Sequence, residues 1–67
     1  PAYNYFYLIG VDTNAKISIF DLNGRKVKEL TYSTNKEINV SGLSSGIYSI
    51  VIQNQNKSIE TKKLIIN

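Results

Sequence analysis

Sixty-seven residues, 42% of them hydrophobic and with eight basic and five acidic side chains for a net charge of +3, bound one small domain. A chain this short buries only about 60% of its unfolded surface, so a substrate cavity competes directly with the core. With no cysteine there is no disulfide, and with no histidine either the donor set for a zinc site is missing, which leaves sheet packing to hold the fold.

Ten isoleucines, four valines and four threonines against two alanines and five leucines predict strands throughout. The first runs near Tyr5–Val11 and ends in the turn signal Asp12-Thr13-Asn14. The second, Lys16–Leu22, places Ile17 and Ile19 on one face and Phe20 and Leu22 on the other, which predicts a bulge or burial on both sides. Asn23-Gly24 then signals a hairpin, because both residues accept the positive φ of a type I′ turn. A third strand over Lys26–Thr31 leads into Ser33-Thr34-Asn35, and a fourth over Lys36–Val40 puts Ile38 and Val40 on one side. After Ser41-Gly42 and Ser44-Ser45-Gly46 comes the most apolar strand, Ile47–Gln53, with Tyr48, Ile50 and Ile52 sharing a face. Asn54-Gln55-Asn56 separates it from the last, Lys57–Ile66. Short strands at spacings near ten residues predict an all-β fold, a small immunoglobulin-like sandwich of six or seven antiparallel strands.

No window sustains a helical stripe, and no run approaches the roughly 18 apolar residues of a membrane span. Pro1 stands where an initiator methionine would, and Asn67 directly follows an apolar strand, so the expectation is a piece of a longer protein that ends at its natural C-terminus. The cations fall in two groups, Arg25-Lys26-Lys28 and Lys62-Lys63. Five tyrosines and two phenylalanines are not interleaved with them as a base-stacking platform requires, so a solvated strand face is expected rather than a nucleic-acid interface.

The segment Leu43-Ser44-Ser45-Gly46-Ile47-Tyr48 places a tyrosine two residues after a glycine, at the start of a late strand. In immunoglobulin-like sandwiches such a tyrosine buries its ring while its hydroxyl bonds back to an upstream carbonyl. Gly46 allows the corner, and Tyr48 is read as a core residue rather than a ligand-binding one.

The succession "ISIFDLNGRKVKEL", "INVSGLSSGIYSIVI" and "KKLIIN" resembles the type A C-terminal sorting domain of proteins exported by the bacterial type IX secretion system. The shared pattern is Asp-x-x-Gly-Arg/Lys-x-Val at Asp21, Gly24, Arg25 and Val27. It continues with Leu-x-x-Gly-x-Tyr at Leu43, Gly46 and Tyr48, and closes on Lys62-Lys63-Leu64-Ile65. Members usually open on Pro-Asn-Pro, of which only Pro1 is seen here.

The resemblance implies one sorting domain over residues 1–67, fused behind a cargo, that carries its parent through the periplasm and across the outer membrane. The implied partners are the outer-membrane translocon and a sortase-like peptidase that removes the domain at the cell surface. It implies no cofactor, no nucleic acid and no membrane insertion. Gly24, Arg25, Val27, Lys62, Lys63, Leu64 and Ile65 are the expected recognition residues, the last four as an edge strand open to pairing. Asn23, Leu43, Gly46 and Tyr48 are expected to build the fold.

Two other classes compete. A fibronectin-like spacer or carbohydrate-binding accessory module would stack sugars on exposed Tyr3, Tyr5, Tyr7 and Tyr32. An enzyme is disfavoured, because Asp12, Asp21, Glu29, Glu37 and Glu60 lie scattered, with no nucleophile, base and orienter in reach of one another and no metal-ligand set.

Overall fold

A computed structural model describes residues 5–6, 8, 10–33 and 37–66. Its strands are β1 (Tyr5–Phe6), β2 (Lys16–Phe20), β3 (Lys26–Thr31), β4 (Ile38–Asn39), β5 (Gly46–Gln53) and β6 (Ile59–Ile66). Four form an antiparallel sheet in the order β3-β2-β5-β6, and β1 pairs with β4 in a separate two-stranded ladder. The protein is therefore all-β, with β3 and β6 at the edges of the larger sheet.

Side chains two apart on a strand share a face, so the pairing register decides which residues meet. Ile17 lies opposite Ile52, Ile19 opposite Ile50, and Tyr48 opposite Leu64. These residues and Ile66 form the inner face of the sheet and bury against Ala15, Tyr32, Ile38 and Val40. Phe6, Leu8, Val11, Leu30 and Leu43 pack at the margin of this cluster. The alternation expected of Ile38 and Val40 holds, since both are buried and Asn39 between them is exposed.

Strand ends are set by backbone turns that the apolar pattern does not register. Leu22 belongs to a turn rather than to β2 and is 75% exposed. Lys57 has a positive φ of 71°, which no strand accommodates, so β6 starts at Ile59. Of the expected first strand, only Tyr5–Phe6 is strand among the described residues, and the fourth shrinks to Ile38–Asn39, with Lys36 outside them.

The hairpin joining β2 and β3 corrects the expected type I′ turn. Only Gly24 has a positive φ, 82°. The Gly24 N–H donates to the Asp21 carbonyl (3.1 Å), and the Asp21 N–H donates to that of Arg25 (2.9 Å). This is a three-residue loop, a type I turn closed by a left-handed glycine, so Asn23 need not leave the right-handed region. The β5–β6 hairpin repeats it: Lys57 N–H donates to the Asn54 carbonyl and Asn54 N–H to that of Ser58, both at 2.9 Å. Lys57 there takes the left-handed position that Gly24 takes in the first hairpin. The bulge expected near Phe20 is present, but the extra residue is on β3: Ile19 pairs with Lys28 and Phe20 with Lys26, leaving Val27 unmatched.

Candidate recognition surface

The turn between β2 and β3 is organised by a side chain that the expected recognition set omitted. Asp21 Oδ1 accepts the backbone N–H of Asn23 (2.9 Å) and of Arg25 (3.0 Å), and Oδ2 accepts the Arg25 Nε–H at 3.3 Å. The Arg25 amide above all, aided by the Asn23 amide and the guanidinium, holds the Asp21 carboxyl below its ordinary range despite some desolvation. A sequence signal existed, since an aspartate three residues before a left-handed glycine is the usual donor-collecting side chain of such turns. The result is a firm tip presenting Leu22 and an exposed Arg25.

Pleating puts residues adjacent in sequence on opposite faces, and register decides which face each one takes. Lys62 lies opposite Ile50 and Leu64 opposite Tyr48, on the inner face, whereas Lys63 lies opposite Ser49 and Ile65 opposite Ile47, on the outer face. Lys62 and Lys63 therefore do not act as one basic pair. Leu64 is buried in the core and can meet a partner only through its backbone, while Lys62, Lys63 and Ile65 are exposed.

Pairing also lines up an outer row across all four strands: Lys26, Phe20, Ser49 and Lys63. Two residues along, Ile47 and Ile65 stand side by side, 41% and 46% exposed. The turn with Gly24 and Arg25, the partly exposed Val27, and the C-terminal half of β6 with Lys63 and Ile65 thus share one end of the sheet. The sequence did not single out Ile47, because its importance comes from the strand opposite.

The β2–β3 half of this face carries an ionic network. Glu29 Oε2 accepts from Lys26 Nζ at 2.7 Å and from Ser18 Oγ at 3.4 Å, with Lys16 Nζ 3.9 Å away. The Lys26 hydrogen bond foremost, then the charge of Lys16, lowers the Glu29 carboxyl below its usual range. Lys26 also lies 5.9 Å from the centre of the Phe20 ring. On the β5–β6 half, Lys63 takes part in none of the ion pairs formed between described residues.

Leu43, Gly46 and Tyr48 lie at the entry into β5. The Tyr48 ring is buried and its hydroxyl donates to the Ser44 carbonyl at 2.6 Å, four residues upstream, which is the corner bond the sequence predicted. Gly46 has a φ of 154°, which side-chain-bearing residues rarely adopt. The Leu43 N–H donates to the Val40 carbonyl (3.0 Å) and its half-buried side chain packs on the core.

Tyr32, named for a sugar-stacking platform, is instead 2% exposed, and its hydroxyl donates to the Leu8 carbonyl at 2.8 Å. Tyr3, Tyr7 and the Tyr5 side chain lie outside the described residues.

No curated protein and no solved structure matches the chain. A family model does: the secretion system C-terminal sorting domain matches residues 1–67. The match spans the Asp21–Arg25 turn, the Gly46–Tyr48 corner and the lysine-bearing last strand, and the chain belongs to the C-terminal sorting domains that direct proteins into type IX secretion.

Proposed function

We propose that residues 1–67 act as one folded address behind a cargo domain, read at the outer-membrane translocon after periplasmic transit and then cut away by a sortase-like peptidase at the cell surface. The family match supplies the route, type IX export to the surface or beyond. The observation that carries the mechanism is β6: eight residues in unbroken register with β5, at a sheet edge, with its other flank unpaired among the described residues. Such an edge offers a row of backbone donors and acceptors to an added strand.

The opposite edge is less suited, because the Val27 bulge interrupts β3. Recognition accordingly uses the backbone of Lys62 to Ile65, the exposed side chains of Lys62, Lys63 and Ile65, and the nearby tip with Gly24, Arg25 and Val27. Asn23, Leu43, Gly46 and Tyr48 shape the domain. The sheet and the β1–β4 ladder, sharing one core, form an immunoglobulin-like sandwich of six or seven strands, with the Tyr48 corner as supporting geometry. The domain is not itself catalytic: Asp21 and Glu29 are engaged in the turn and the ionic network, and no cofactor is needed for an address.

The test fuses the chain to the C-terminus of a reporter sent to the periplasm of a bacterium that has the type IX system. Surface display is the expected result. Periplasmic retention of a reporter whose C-terminal domain is demonstrably folded overturns the reading.

A further inference from the structure

We infer that the outer face of the β5–β6 half of the sheet is a docking site for a protein surface with an apolar centre and a carboxylate rim. The inference rests on the export reading and specifies the chemistry of the partner. Ile47 and Ile65 are cross-strand neighbours that both stay close to half exposed on a face where no second layer lies among the described residues. Each is worth about 25 cal/mol per Å² of apolar area covered, which a partner would supply.

Charge identifies that partner. On the β2–β3 half, Glu29 already holds Lys26 and Lys16, and at the tip Asp21 holds Arg25. Lys63, two residues from Ile65 on the same face, has no such carboxylate among the described residues, so the open half presents an apolar pair beside a cation that no described side chain compensates. A carboxylate brought to Lys63 as water leaves the isoleucines gains strength from that desolvation.

A second copy of the chain fits poorly, since a two-fold contact centred on the row from Lys26 to Lys63 sets cation against cation, each lysine meeting its own equivalent or the other lysine according to the direction of the axis. An anionic lipid surface fits poorly too, because polybasic clusters that bind one carry about four to eight cations.

The test scores display of the fused reporter for Lys63→Glu, for Ile47→Ser with Ile65→Ser, and for Lys57→Glu, a charge-matched control in the far hairpin. Display is expected to fall on the order of tenfold for the first two, as for loss of a central interface side chain. Lys57→Glu should match the unaltered chain, and the thermal midpoint of the isolated Lys63→Glu domain should be unmoved.

Full display of both face variants overturns the docking face and leaves the export reading standing. Retention of the unaltered fusion overturns the export reading itself, and the docking face with it. Dimerisation in sedimentation that Ile47→Ser with Ile65→Ser abolishes names a second copy as occupant, and co-sedimentation with phosphatidylglycerol vesicles names lipid. Either result overturns the proposal.

Discussion

Isoleucine stands on both faces of the four-stranded sheet, and the faces treat it oppositely. Ile17, Ile19, Ile50 and Ile52 are at most 3% exposed, whereas Ile47, Ile59 and Ile65 range from 41% to 63%. The residue type and strand geometry are the same, so the difference comes from what lies above. Tyr32, Ile38 and Val40 close over the inner face, and the outer face receives an ionic network on one half and no cover on the other among the described residues. A β-branched side chain is chosen for strands by its backbone fit, but it stabilises the fold only where a second layer removes it from water. Among the described residues, the exposed isoleucines are thus the ones whose apolar area the fold itself leaves in water.

The comparison breaks hardest at Ile52. Ile52→Ala should cost about 2 to 5 kcal/mol through lost contacts and a cavity, while Ile59→Ala on the outer face should stay within about 0.5 kcal/mol. Urea midpoints of the two variants decide it, and equal midpoints would mean that the faces are equivalent.

A smaller loss, about 1 kcal/mol, is expected for Tyr48→Phe, which keeps the inner-face ring but removes the donor to the Ser44 carbonyl. Tyr32→Phe should behave alike, since its hydroxyl bonds the Leu8 carbonyl. Unchanged midpoints for both would show that these hydroxyls contribute nothing beyond their rings.

Acid acts on the tip and the outer face. The carboxyls of Asp21 and Glu29 are lowered in the folded protein, so their stabilisation is complete above the unfolded pKa values near 4 and is lost as pH falls through the folded ones. Thermal midpoints should decline below about pH 4, and Asp21→Asn combined with Glu29→Gln should flatten that decline. An equally steep decline in the double variant would place the acid sensitivity elsewhere.

The smallest effect on stability belongs to Lys63→Glu, within about 0.5 kcal/mol at an exposed site, although its effect on display should be large. A marked drop in its melting temperature would make Lys63 part of the fold rather than of a recognition surface.

Much of this was legible in the residues themselves. Period-two alternation placed Tyr48, Ile50 and Ile52 on one face and Ile38 with Val40 on another, because pleating alone fixes that geometry. Gly46 followed by Tyr48 announced its corner, since few other pairs both permit the bend and carry a hydroxyl that reaches back. The ordered turn, corner and last strand carried the family. The Tyr32 burial was not legible, because its cover comes from Leu8 and the core, far away in sequence. Nor was the left-handed Lys57, which a hairpin closure imposes on a residue with no preference for it.

Sequence by itself determined the strand class, the approximate turns, the corner and the sorting family, all of which depend on local stereochemistry or on motif order along one chain. Only the tertiary structure decided that Lys62 and Leu64 take the inner face while Lys63 and Ile65 take the outer one, and that Ile47 stands beside Ile65. The physical reason is that facing in a sheet is set by the register with the neighbouring strand and by which side a second layer covers. Both come from pairings between segments distant along the chain, as with Ile47 and Ile65 themselves.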